Sequence, residues 1–320
     1  MPNSHLIVYR MNAIRALQSF FGPGVHSVFL GFTGLGTSAV LWTVLFLYSW
    51  LVDPPFGRRL AVVFAASILA NHALKLAFGT QRPYEMDSTL ATDSARRTGG
   101  GAGFPSGHSM NAATFYLSLA FYYRHHCRAM LLWLAALLLT MGVGLSRLYL
   151  GVHLPEDVGG GFIFGALFAW VTGVWTVPLA MPRRRLWAPF AIVAGLGLAF
   201  LGADPLPCGL LVGALIAQGD FTPPQTAKGR ALIVAGGLVL LALLAGLLLW
   251  ALERLWPGFT KTVPVTFFSY LALAWVGLEG WPRWFGRMRS ESEGAPSGQT
   301  LTPPTPSLPA SPPPAGREGA

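Results

Sequence analysis

Between Ser146 and Asp157 the chain reads SRLYLGVHLPED, a short polar stretch bracketed by two apolar runs, Ala129 to Leu145 and Val158 to Ala180. Crossing a bilayer as a helix takes about 20 apolar residues, and both runs reach or approach that length. A charged loop between two such runs predicts an all-α membrane bundle, with polar side chains gathered where one helix ends and the next begins. The pattern recurs at Gly34 to Val52, Leu60 to Phe78, Ser106 to Tyr123, Leu186 to Leu201, Ala231 to Leu252 and Val263 to Leu278. A ninth run, Cys208 to Gln218, is short: a compressed span, part of a longer helix reaching the interface, or a re-entrant piece.

Composition agrees. Of 320 residues 53% are hydrophobic and only 11% charged, and the mean hydropathy is +0.51, more apolar surface than a water-soluble chain of this size can hide. The formal charge of +9 raises the question of nucleic acid. Its basic residues, however, sit in small clusters between apolar runs and form no continuous stripe, so no nucleic-acid partner is expected. From Leu6 to Phe29 the chain mixes Arg10, Arg15 and His26 with Phe20, Phe21 and Phe29 and is broken by Gly22-Pro23-Gly24. This is the pattern of an interfacial helix followed by a turn, without the layout of a cleaved signal peptide. From Ser290 onward a Ser, Thr, Pro and Gly mixture predicts a disordered tail.

Loop charge sets an expected orientation. With nine crossings, Arg58, Arg59, Arg124, Arg128, Arg183, Arg184, Arg185, Lys228, Arg230, Arg283, Arg287 and Arg289 fall on one side, which the bias of basic residues makes cytoplasmic. Three polar segments then share the opposite, extracytoplasmic face: KLAFGTQRP (Lys75 to Pro83), PSGH (Pro105 to His108) and the Ser146 to Asp157 stretch. Cys127 and Cys208 land on opposite faces, so no disulfide between them is expected.

Each segment suits a phosphoryl group. Lys75 and Arg82 are seven residues apart, two helical turns, and so share a face if one helix runs through to Pro83. An intramembrane lysine calls for an anion or a watery cavity. His72 and Asn71, one turn earlier, read as polar packing residues. Pro105 and Ser106 favour a helix start, whose free amides bind anions, and Gly107 admits an oxyanion close to the main chain. His108 then falls in the first turn. The planar guanidinium of Arg147 pairs with two phosphoryl oxygens at once. Asp157, four residues after His153, accepts from one ring nitrogen and leaves the other as a nucleophile.

Together the three segments carry K-x6-RP, PSGH and SR-x5-H-x3-D without substitution, and by these motifs the chain resembles the type 2 phosphatidic acid phosphatase (PAP2) superfamily over roughly Gly34 to Ala180. The resemblance implies a lipid phosphate or diphosphate substrate of the undecaprenyl diphosphate, phosphatidic acid or phosphatidylglycerol phosphate class. It implies His153 as the phosphohistidine-forming nucleophile, Asp157 as its orienting partner and His108 as general acid. Lys75, Arg82, Ser106, Gly107 and Arg147 would hold the phosphoryl oxygens, with no metal or other cofactor. Transfer of the phosphoryl group to an acceptor other than water is the alternative, and a non-catalytic lipid-binding or transport protein a more distant one. The expected organisation is an interfacial segment over 1–33, a PAP2-like catalytic membrane core over 34–180, additional transmembrane helices over 181–289 and the tail over 290–320. The setting expected is a bacterial plasma (inner) membrane. The Glu85 to Phe104 loop, with Gly99-Gly100-Gly101, reads equally as a lid or a plain surface loop.

Overall fold

The structure, a computed structural model, describes residues 4–174, 184–218, 221–248, 250, 253–254, 258 and 262–292. The C-terminal tail from 293 lies outside the described residues, as do the ends of the runs toward Ala180 and Leu252. Every described element is a helix, and no strand occurs among the described residues.

The chain opens with α1 (Ser4–Phe21), a break at Gly22-Pro23-Gly24, and α2 (His26–Gly34). Next come α3 (Ser38–Leu51), α4 (Pro54–Phe78), and two one-turn helices, α5 (Pro83–Met86) and α6 (Asp93–Arg96). Then follow α7 (Gly107–Tyr122), α8 (Ala129–Tyr149) and α9 (Pro155–Val174). The C-terminal helices are α10 (Arg184–Phe200), α11 (Pro205–Ile216), α12 (Ala227–Ala242), α13 (Val263–Trp275) and α14 (Trp281–Ser292). Among the described residues four stretches are long and apolar enough to cross a membrane alone: Pro54–Met86, Ala129–Tyr149, Pro155–Val174 and Val263–Arg289. The pair Pro23–Gly34 and Ser38–Leu51, bent by 52°, makes a fifth if it is one broken span. Residues 208–218 lie mostly on α11, a 12-residue helix. Large apolar side chains on α8 and α9, among them Met130, Leu138, Ile163 and Trp170, point outward. An outward apolar face of this extent needs lipid to cover it, and the protein is an integral membrane protein.

Small residues let the site-bearing helices touch. A Cβ on Gly161 would lie 2.7 Å from the Ser106 carbonyl oxygen, and one on Gly165 2.6 Å from that of Met110, so α7 and α9 meet backbone to backbone. Buried hydroxyl pairs, Ser67 with Thr114 at 2.8 Å and Ser118 with Thr172 at 3.1 Å, join α4 to α7 and α7 to α9. The break between α2 and α3 frees backbone carbonyls inside the bundle. Asn111 of α7 donates to the Gly36 carbonyl at 3.3 Å and the Tyr116 hydroxyl to that of Leu35 at 2.9 Å, satisfying them.

The C-terminal helices share a core with the rest. One apolar cluster joins Leu45, Trp50 and Phe64 of α3 and α4 to Leu210 of α11, Ile233 of α12 and Ala274 of α13. Polar ties reinforce it. The Trp50 indole donates to the Gly277 carbonyl at 2.6 Å, within a π-helical turn over Val276–Gly280, and buried Arg58 donates to the carbonyls of Ala214 at 3.3 Å and Leu215 at 2.7 Å. A cation there also offsets the negative end of the α11 dipole.

Candidate active site

The expected single helix from Lys75 to Pro83 is not what forms. α4 ends at Phe78 because Gly79 takes the left-handed conformation, φ 56°, and its amide closes on the Lys75 carbonyl at 3.0 Å. Arg82 is then extended (φ −87°, ψ 154°), and Pro83 begins α5 rather than stopping α4. Lys75 and Arg82 therefore reach the site from a helix end and from a loop, not from one helical face.

Arg82, only 2% exposed, holds the loop around itself. Its Nε donates to the Gly101 carbonyl at 2.8 Å, Nη2 to that of Gly100 at 2.6 Å, and Nη1 to that of Val152 at 3.0 Å. The same Nη1 lies 3.2 Å from His153 Nε2. Lys75 Nζ donates to the Ala102 carbonyl. The loop is pinned a second time at Thr80, whose carbonyl accepts from the Gly103 amide at 2.8 Å and whose hydroxyl accepts from that of Phe104 at 2.6 Å.

His153 lies in the short link between α8 and α9. That link turns at Gly151, φ 68°, where a Cβ would fall 2.0 Å from the Leu90 carbonyl oxygen, so only glycine fits. His153 Nδ1 is 3.2 Å from Asp157 Oδ2, which also accepts from the Leu154 amide at 2.9 Å. A carboxylate at Nδ1 and a guanidinium donor at Nε2 assign the tautomer: the proton sits on Nδ1 and the lone pair on Nε2. The expected free nitrogen is thus engaged by Arg82, which must release it before it can act. Burial first, then the charges of Arg147, Arg82 and Lys75 and the neighbouring His108, hold the His153 pKa well below its ordinary value of 6.5.

The PSGH segment starts α7 as expected. Ser106 is the N-cap, its hydroxyl accepting from the Ser109 amide at 3.4 Å, and its own amide donates to the Asp157 carbonyl at 2.9 Å. The starts of α7 and α9 are thereby fastened together. Asn71 props the segment from α4, donating to the Pro105 carbonyl at 3.3 Å. His108 Nε2 is buried and has no partner among the described residues.

These elements enclose a cavity of about 510 Å³ whose wall includes His72, Lys75, Arg82, Arg97, His108 and His153, with Gly107 beside them. Ser106, Arg147 and Asp157 stand behind that wall. Arg147 is fully buried and turned to the Thr33 hydroxyl, to the Thr98 hydroxyl at 2.9 Å and to the Thr98 carbonyl at 3.1 Å; its Nε is unpartnered among the described residues. Sequence reasoning missed Thr33 and Thr98 as its partners and Arg97 as a cavity residue. The Arg96-Arg97 pair just before the glycine run was the available signal for the last. A cation-lined cavity with His153 oriented by Asp157 can bind an anion and present a nitrogen nucleophile to it.

The family model of the PAP2 superfamily matches residues 56–180. The chain is similar to phosphatidylglycerophosphatase B of Bacillus subtilis, 33% identical over 157 residues that cover 45% of this chain and 72% of that protein. It is also similar to the lipid A 4'-phosphatase of Bacteroides thetaiotaomicron, 29% identical over 168 residues, 47% of this chain and 72% of that protein. Among solved structures, the crystal structure of a transmembrane PAP2 type phosphatidylglycerolphosphate phosphatase from Bacillus subtilis aligns over 53% of this chain and 85% of its own, at 28% identity and a TM-score of 0.45.

Proposed function

Because the chain belongs to the PAP2 superfamily, we propose that it is an integral membrane phosphatase that hydrolyses a lipid phosphate or diphosphate through a phosphohistidine on His153. The observation that carries this reading is the His153 environment: Nδ1 faces a carboxylate at 3.2 Å while Nε2 stands at a cavity lined by cations. The candidate substrates are phosphatidylglycerol phosphate, phosphatidic acid and undecaprenyl diphosphate. The names of the two relatives support the lipid phosphate class.

In the first step His153 Nε2 attacks phosphorus and the lipid oxygen leaves with a proton from His108. Asp157 keeps Nδ1–H in place and offsets the positive charge that grows on the ring. Lys75, Arg82 and Arg147, with the Ser106 hydroxyl and the Gly107 amide at the start of α7, take the phosphoryl oxygens. For Arg82 this means exchanging loop carbonyls and Nε2 for those oxygens, which frees the nucleophile as substrate arrives. In the second step water, deprotonated by His108, breaks the P–N bond and returns His153 to its neutral form. The cations supply the charge stabilisation, so the reaction is proposed to need no metal. The site is placed on the extracytoplasmic face of the plasma (inner) membrane, following the distribution of arginines.

The test is to quench the purified protein with labelled lipid phosphate and look for an acid-labile, base-stable phosphoenzyme. Wild type should give it and His153→Asn should give neither phosphoenzyme nor turnover. Full turnover in folded His153→Asn would overturn the mechanism, and loss of activity on chelation with recovery on adding Mg²⁺ would overturn the metal-free chemistry.

A further inference from the structure

His72 is the one cavity-lining imidazole that the proposed chemistry leaves unused. It sits three residues before Lys75, one turn back along α4 and on the same face. Its Nδ1 is 2.8 Å from Asp204 Oδ2, and Asp204 belongs to the C-terminal helices. The carboxylate is itself fixed: as the N-cap of α11, its Oδ1 accepts from the Leu206 amide at 2.9 Å. α11 in turn is packed on α4 through a cluster of Cys208, Val212 and Phe267 with Leu69, which lies one turn before His72. The added helices thus orient an imidazole at the wall of the active-site cavity.

The tautomer of the neutral ring follows from its partner. In that form a carboxylate at Nδ1 holds the proton there and leaves the Nε2 lone pair as an acceptor. Among the described residues the ring has no other hydrogen-bond partner, and its side chain remains 41% exposed. A simple tie between helices would need only the Nδ1 edge. The same wall carries three cations, Lys75, Arg82 and Arg97, suited to phosphoryl oxygens. An acceptor among them matches a different group, a hydroxyl.

We propose that His72 accepts a hydrogen bond from a hydroxyl of the substrate's headgroup, with Asp204 as its positioning residue, so that the enzyme prefers lipid phosphates whose leaving group carries a free hydroxyl beside the ester. This rests on the phosphatase reading above and narrows it. Glycerol and sugar phosphate lipids belong to this class; phosphatidic acid and polyprenyl diphosphates do not.

The experiment compares full-length protein in detergent micelles on phosphatidylglycerol phosphate and on phosphatidic acid of the same acyl chains, which presents the same phosphate without the hydroxyl. His72→Ala should raise KM for the first roughly five- to tenfold, the value of one hydrogen bond, with kcat little changed, and should leave kcat/KM on the second within about twofold. Asp204→Ala should give a weaker form of the same selective loss. Asp204→Asn, whose amide oxygen still accepts from Nδ1–H, should recover most of it. If His72→Ala yields no folded protein, His72→Phe, which keeps a ring of similar bulk but has no acceptor, is read in the same way. Equal loss on both lipids, or loss on neither, overturns the role of His72. Hydrolysis of phosphatidic acid but not phosphatidylglycerol phosphate by wild type overturns the hydroxyl preference alone. Hydrolysis of no lipid phosphate or diphosphate overturns the phosphatase reading itself.

Discussion

A neutral His153 follows from where it lies, buried beside three cations. Its pKa is held well below 6.5. The unfolded chain takes a proton on this ring near pH 6.5, the folded chain only at much lower pH. The stability that the neutral ring contributes is therefore complete above about 6.5 and is lost as pH falls from there toward the folded value. The midpoint of thermal unfolding in detergent should drop between pH 7 and 5, and less so in His153→Gln. By the same shift, protonation of the nucleophile should not limit kcat/KM until pH is well below 6.5; an acid limb centred at 6.5 and removed by no other variant would count against this. His108 makes a separate prediction, since a phosphate monoester expels a basic alkoxide, whereas a diphosphate expels a phosphate whose last ionisation lies near ~6. Removing a proton donor worth about 10²–10⁴-fold should therefore cripple monoester cleavage, while the single-turnover burst on a lipid diphosphate survives far better in His108→Ala. Equal loss of both would make His108 a phosphate ligand instead. The residues of the three motifs were legible because their types and spacings are chemically constrained. Thr33 and Thr98, which hold Arg147, were not, because a threonine at a helix end or in a loop has no pattern that marks a long-range partner.

At the scale of elements, the helix starts were the readable part. Ser106 caps α7, and the Gly22-Pro23-Gly24 break separates α1 from α2. Pro83 suggests a later end for α4 than the one that forms at Gly79, because a glycine that turns left-handed stops a helix as firmly as a proline further on. The sequence of the 85–104 loop reads equally as a lid or a surface loop, and its contacts give it a definite role. Its backbone carbonyls occupy Lys75, Arg82 and Arg147, the groups proposed to take phosphoryl oxygens, so loop and substrate compete for the same donors. The glycine run permits this closeness: a Cβ on Gly99 would sit 2.8 Å from Arg82 Nη1, whereas one on Gly100 meets nothing within 4 Å. Gly99→Ala must push a guanidinium that is hydrogen-bonded on every side. It should lower kcat/KM by roughly tenfold or more, given how steeply rates fall when a binding group is misplaced, and Gly100→Ala should cost much less. Equal kinetics in the two variants would show that the loop does not set the position of Arg82.

Over the whole molecule, hydropathy located the helices but not their partnership. The added helices read as an appendage beyond residue 180 because periodicity reports which residues are apolar, not which other helix they meet; Trp50 against Gly237 and Gly277, where a Cβ would lie 2.4 Å from one aromatic ring or another, is invisible to it. Chain order does fix which groups share an end of the bundle. α4 ends, α7 starts, and α8 and α9 join at the cavity, so the α7–α8 connection, with Arg124, Cys127 and Arg128, must emerge at the other end. The excess of arginine there supports the proposal that this end is cytoplasmic. Of the two free cysteines, Cys127 is exposed and Cys208 buried, which leaves the first as a reporter for one side. An impermeant maleimide added to intact cells should leave the protein unlabelled, and permeabilising the membrane should give one label per chain, abolished by Cys127→Ser. Labelling of Cys127 in intact cells would invert the molecule and turn the cavity to the cytoplasm. In that event the substrate must be drawn from the inner leaflet, and the arginine distribution would need a cause other than topology.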